Sequence, residues 1–336
     1  MKEKQLLGKV VAITGASAGL GRSIAREFGK YGAKVALLAR GEEGLEGARQ
    51  EVEALGGEAL VIATDVSEAE QVEQAAQRIE DTWGPLDIWV NNAMNSVFSP
   101  LKKVTPDEFK RVTEVTYLGQ VYGTMAALQR MLPRDHGTII LIGSALAYRG
   151  IPLQSAYCGA KHGIQGFFES VRTELIHDNS NVHVGMVQLP AMNTTQFGLV
   201  KSRLPQKPRP MGTIYQPEVA AKAVVYAALQ REREVYVGYP TWQTIFGNKV
   251  IPGWLDHYLA RVGYQGQQTD QPDNPARPDN LWDPVPGDHG AHGSLDAQSW
   301  DFSPQFWGAT HKWLTLAGVT ALAVGVGAAL ARNSSD

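Results

Sequence analysis

The sequence predicts an α/β fold, a doubly wound, Rossmann-like parallel sheet with helices on both faces. Three observations carry that expectation. Short apolar runs rich in β-branched residues alternate with helix-length amphipathic segments. The first run opens into a glycine turn that leads directly into helix-like sequence. Chemistry-bearing side chains then recur at strand ends, the edge where open α/β sheets bind ligands. The chain of 336 residues is 43% hydrophobic and 19% charged, which suits a packed core and excludes wholesale disorder. A net charge of −3 gives no sign of a nucleic-acid partner. The single cysteine, Cys158, excludes an internal disulfide framework and a Cys-rich metal site, and it fits a reducing compartment. Residues 1–5 lead into strand-like sequence without a long apolar stretch, so no secretory signal is expected.

The elements follow in order. Lys9 to Thr14 reads as a strand buried on both faces. It delivers Gly15, Ser17, Gly19, Leu20 and Gly21, and helix-like sequence follows from Arg22 to Tyr31. Gly15 permits the tight turn, while Gly19 and Gly21 allow close backbone approach to a ligand. The helix N-terminus offers free N–H groups to a diphosphate. Ala33 to Ala39 is the second strand, and the residue after it is Arg40 rather than a carboxylate. A carboxylate there would bind the ribose hydroxyls of NAD, whereas a guanidinium suits a 2′-phosphate. NADP is therefore expected ahead of NAD, with Arg22 as a second basic contact. Glu42 to Leu55 is an amphipathic helix, and Gly57 to Ala63 is the third strand, ending at Asp65 and Val66. Asp65 is placed to accept from an adenine amino group. Ser67 to Glu70 has capping-box spacing for the next helix. Leu86 to Val90 is the fourth strand, and Asn91 and Asn92 at its end suit bonding across the sheet edge and lining the cofactor cleft. Thr105, Pro106 and Glu108 start a helix that runs to about Met131. Gly137 to Ile142 is the fifth strand and carries Ser144 to the ligand edge.

Tyr157 and Lys161 stand at i and i+4, on one helix face. A phenol titrates near 10 in water, and an adjacent positive charge lowers that value. A phenol so tuned can exchange a proton with an alcohol or carbonyl oxygen.

Taken together, Thr14-Gly15-x-x-x-Gly19-x-Gly21, Asp65-Val66, Asn91-Asn92-Ala93, Gly143-Ser144 and Tyr157-x-x-x-Lys161 resemble the short-chain dehydrogenase/reductase family in order and spacing. The resemblance covers residues 6 to 240 and implies a sheet of about seven strands. It implies that Tyr157 is the acid/base, that Lys161 lowers its pKa and holds the nicotinamide ribose, and that Ser144 bonds the substrate oxygen. Two departures stand out. Met94 replaces the glycine that follows Asn-Asn-Ala in the family, and Thr116 replaces the asparagine that holds a water in a proton relay. Pro190 matches a family position, and Thr194 or Thr195 matches the hydroxyl that helps hold the nicotinamide carboxamide or diphosphate. A dimer or tetramer is common in the family.

Gln196 to Gln216 reads as a lid, with Phe197 and Leu199 as apolar walls; Tyr148, Arg149 and Leu153 are further substrate-side candidates. Pro217 to Gln230 is a helix and Glu234 to Gly238 the last strand. Three units are expected: 1–250 catalytic, 251–310 an extension or linker, and 311–336 an apolar tail. Residues 263–296 have linker or disordered composition, and His289 and His292 there lack the neighbours of a metal site. Trp313 to Ala331 is uncharged and as a helix would reach about 28 Å, near the hydrocarbon thickness. It reads as a transmembrane anchor leaving the catalytic domain in the cytosol, or as a buried helix packed on a second subunit. The expected activity is NADP(H)-dependent interconversion of a small-molecule secondary alcohol and ketone; the alternative is a membrane-tethered dinucleotide sensor.

Overall fold

Seven runs become strands, the central ones buried on both faces and the edge strands β3 and β7 only partly: β1 (Val10–Thr14), β2 (Lys34–Ala39), β3 (Glu58–Ala63), β4 (Ile88–Asn91), β5 (Thr138–Ile142), β6 (His183–Gln188) and β7 (Glu234–Tyr236). In the computed structural model, which describes residues 5–311 and 315, they form one parallel sheet in the order β7–β6–β5–β4–β1–β2–β3. Strand order reverses between β1 and β4, and the crevice beyond their C-terminal ends is the expected ligand site.

Side-chain parity separates two cores. Val11, Ile13, Val35 and Leu37 point to one face and pack with α1 (Gly19–Gly29), α2 (Glu42–Ala54) and α7 (Pro217–Gln230). Val10, Ala12, Leu38 and Trp89 point to the other, against α3 (Ala69–Trp83), α5 (Gly119–Met131) and α6 (Ser155–His177). Between α4 (Pro106–Thr113) and α5 lies one π-helical turn, Glu114–Leu118, where a single helix was expected. Thr105 and Glu108 form the capping box that the sequence announces. Ser67 does not: its hydroxyl bonds Asp65 at 2.8 Å, and α3 begins two residues later.

The largest difference from expectation is the extension. Two further helices, α8 (Tyr239–Val250) and α9 (Pro252–Val262), follow β7. Residues 263–300, largely without regular secondary structure between 273 and 295, pair with the lid at both ends. Gln268–Pro272 pairs with Gln206–Pro208 of the lid, and Ser299–Trp300 pairs with Ile214–Tyr215. This segment is poor in apolar residues. It gains its order mainly by bonding backbone and charged groups of the sheet edge. α10 (Pro304–Thr310) packs Phe306 edge-on against Tyr226 of α7. Among the described residues no helix is long and apolar enough to cross a membrane. The candidate anchor, 313–331, lies outside them except for Thr315.

Candidate active site

The glycine turn is shaped by contacts that admit no side chain. Gly15 has φ +68°, and a Cβ on it would stand 2.8 Å from Cα of Ala93. A Cβ on Gly21 would lie 2.1 Å from the Gly15 carbonyl oxygen. Asn92 fastens this turn to β4: its Nδ2 donates to Thr14 O at 2.9 Å, and its N–H to Thr14 Oγ1 at 2.9 Å. Thr194 and Thr195 both stand over Gly19, so the family's two alternative positions meet the turn together. Pro190 packs near Gly238. Val66 is buried, with Gly119 closely packed on it.

On the other side of the cleft, β5 carries Ser144 and α6 carries Tyr157 and Lys161. Ser144 hydrogen-bonds the Tyr157 phenol, and its Oγ also accepts from Leu146 N–H at 3.1 Å. Lys161 is buried; its Nζ donates to Ile142 O at 2.6 Å and lies 5.6 Å from the centre of the Tyr157 ring. The three residues are thus neighbours, as their spacing suggested. The electrostatics differ from expectation. Burial pushes the Tyr157 phenol well above its usual range, the Ser144 bond opposes this, and Cys158 adds to it. Burial pulls Lys161 down to about 7. Desolvation is the leading cause for both groups and shifts each toward its neutral form in this dry wall.

Other candidates are already engaged. Thr116 is fully buried in the π turn; its Oγ1 donates to Asn95 O at 2.9 Å and accepts Asn95 N–H at 3.1 Å. It ties the chain after β4 to the central helix. Asp65, expected to take an adenine amino group, is bonded by Arg111 at 2.6 Å and by Ser67. Arg22, expected as a second contact to a 2′-phosphate, is neutralised by two carboxylates, Glu51 at 2.9 Å and Asp288 of the extension. Arg40 bonds only backbone carbonyls, those of Asn280 and Trp282.

Sequence reasoning missed several supporting residues. Gln188 accepts Ser144 N–H at 2.7 Å and donates to Glu234 at 2.8 Å, setting the backbone beneath Ser144. A Cβ at Gly143 would clash with it at 2.2 Å, which is the one local signal. Tyr148, a substrate-side candidate, instead donates its hydroxyl to Glu234, and Arg149 pairs with Asp256 of α9. Leu153 and Phe197 do meet, in an apolar cluster with Phe98, Val200 and Leu204 beside the lid. A cavity of about 390 Å³ opens between lid and extension, lined by Lys201, Arg203 and Arg277 among others, but no catalytic candidate lines it.

The groove fits a dinucleotide on two observations. Leu20 and Gly21 occupy the first turn of α1, where N–H groups lack intrahelical partners by position. Arg40 keeps a guanidinium with no directly paired carboxylate at the end of β2. Gly19 N–H, by contrast, is taken by Gly290 O of the extension at 2.9 Å.

Comparison with known proteins agrees with this geometry. Residues 9–204 match the family model described as short chain dehydrogenase. The chain is 33% identical to the uncharacterized oxidoreductase YxnA of Bacillus subtilis over 86% of its own length and 82% of that protein's. It is 33% identical to 3-dehydrosphinganine reductase of Danio rerio over 68% and 71% of the two lengths. Among solved structures it resembles a metagenomic short-chain oxidoreductase in complex with NADP, at TM-score 0.58 and 29% identity, over 69% of this chain and 96% of that one.

Proposed function

Because the chain belongs to the short-chain dehydrogenase/reductase family of oxidoreductases, we propose that it interconverts a secondary alcohol and a ketone with NADP(H). The observation that carries this reading is the contact of Ser144 with Tyr157, on a wall that also holds Lys161, across the cleft from the glycine turn. NADP is supported by Arg40 at the end of β2 and by the NADP in the similar solved structure. The bound dinucleotide supplies or takes up the hydride. In the reducing direction the Tyr157 hydroxyl gives its proton to the substrate oxygen, and Ser144 donates a hydrogen bond to that oxygen. Burial raises the Tyr157 phenol and so weakens it as an acid, and the Ser144 bond opposes that shift. Lys161 and the Thr194–Thr195 pair would orient the nicotinamide end; Leu20, Gly21 and Arg40 would hold the phosphates. The Phe98, Leu153 and Phe197 cluster favours an apolar carbonyl substrate.

The test is NADPH oxidation over a panel of ketones, with Tyr157→Phe as control. Tyr157→Phe should lower turnover roughly 10²–10⁴-fold, the range for losing a general acid, without weakening NADPH binding. Equal turnover in the two proteins would remove Tyr157 from the reaction.

A further inference from the structure

The arginines around the cleft are of two kinds. Arg22 meets Glu51 and Asp288, Arg111 meets Asp65, and Arg203 meets Glu108. Arg40 differs. Nη2 donates to Asn280 O at 2.6 Å, Nη1 donates to Trp282 O, and no described carboxylate pairs with it directly. Two of its five donors are thus spent on neutral acceptors, and the carboxylates of Asp65 and Asp283 act on it only through space, without a direct ion pair.

The two carbonyls are themselves held firmly. Leu281, between them, is fully buried against Val97, Val112 and Ala156. Its own carbonyl accepts from Arg111 Nε at 3.1 Å and from Asn95 Nδ2 at 3.3 Å. Asn280 N–H donates to Leu199 O at 2.9 Å, and Leu281 N–H to the Asp279 carboxylate at 3.1 Å. Further along, Asp288 on Arg22 and Gly290 O on Gly19 N–H keep the strand of chain against the groove.

We infer that Asn280, Leu281 and Trp282 are positioning residues for cofactor selectivity: from the C-terminal extension they clamp Arg40 with neutral acceptors, and so leave its guanidinium without a directly paired carboxylate where a 2′-phosphate would bind. A carboxylate in their place would hold Arg40 equally well but cancel the charge. Preorganisation of this kind raises affinity by removing the cost of ordering the side chain. The inference rests on the proposed assignment of Arg40 to the 2′-phosphate, and its test separates the two.

Equilibrium dissociation constants for NADPH and NADH are measured for the full chain, Leu281→Ala, Arg40→Ala and the double variant. Arg40→Ala should weaken NADPH strongly and NADH little; if it changes neither preference nor affinity, the phosphate assignment itself fails. Leu281→Ala should weaken NADPH roughly five- to tenfold, leave NADH within about twofold, and have no further effect on preference in the Arg40→Ala background. Equal loss for both cofactors, or effects that simply add in the double variant, would overturn the clamp while leaving the phosphate assignment standing. A measurement on the unmodified protein covers the case in which Leu281→Ala does not fold. Amide exchange at Asn280 to Asp283 should slow more with saturating NADPH than with saturating NADH, and identical protection by the two would refute the proposal.

Discussion

Two regions face each other across the dinucleotide groove, and they are built on opposite principles. The wall that carries Ser144, Tyr157 and Lys161 belongs to the sheet and α6, and its polar groups are few and desolvated. The segment Asn280–His292 is polar and glycine-rich, and Leu281 is its fully buried apolar anchor. It holds its place by bonding groups around the glycine turn, the end of β2 and α4: its carbonyls cap Arg40, Arg111 and Gly19 N–H, and its carboxylate pairs with Arg22. The first region pays a desolvation cost to prepare two titratable groups. The second contributes little core yet supplies a carboxylate to Arg22 and only carbonyls to Arg40 and Arg111.

Three substitutions would break or sharpen that contrast. Gly21→Ala should have the largest effect. Its Cβ meets backbone at 2.1 Å, so the turn must shift; a loss of about 3 kcal/mol or more in unfolding free energy is expected, with no measurable dinucleotide binding. Denaturant titration and NADPH titration read the two effects. Wild-type stability with intact binding would show that the turn is far softer than its packing implies.

Lys161→Met should come next, with opposite sign. Burial holds the folded Lys161 at about 7, below its unfolded value near 10.5. Between those values the unfolded chain binds the extra proton, so stability rises with pH and the buried charge costs most below about pH 7. Methionine removes that cost, and Ile142 O keeps a second donor, Gln120 Nε2 at 3.2 Å. Without cofactor the variant should therefore be more stable by about 2 kcal/mol at pH 6, a gain fading toward pH 10, while activity is lost. A variant less stable than wild type at pH 6 would mean that Lys161 is not desolvated as described.

Asp288→Asn should have the smallest effect, about 1 kcal/mol, because this carboxylate is well exposed and screened and Glu51 still serves Arg22. Its bond from Arg22 holds Asp288 below the usual carboxylate range, burial working against this. Its contribution is thus present above the unfolded value near 4 and is lost as pH falls through the lower folded value. Hydrogen exchange should show faster opening around Asp288 with the central sheet unchanged. Faster exchange throughout the sheet would show that the extension and the catalytic domain open as one unit.

Much of the first region was legible because its information is local. The continuous apolar runs of β1 and β2, the i, i+4 placement of Tyr157 and Lys161, and the Thr105–Glu108 capping box all follow from residues a few positions apart. The same locality misled at Ser67, whose hydroxyl had a better partner in Asp65, and it gave no sign of the partners of Asp65 and Arg22, Arg111 and Asp288, which come from other elements. Gln188 beneath Ser144 carried no motif at all.

The amino-acid order alone determined the alternation of strand and helix, the glycine turn, and the residues that meet at the sheet's C-terminal edge, since these depend on periodicity and backbone sterics. Tertiary structure alone decided the protonation balance of Tyr157 and Lys161, because desolvation depends on everything packed around a group. It alone decided that a polar segment some 240 residues beyond Arg40 lies beside it. A chain that orders itself by capping distant donors leaves no pattern in its own sequence; the pattern belongs to the surface that receives it.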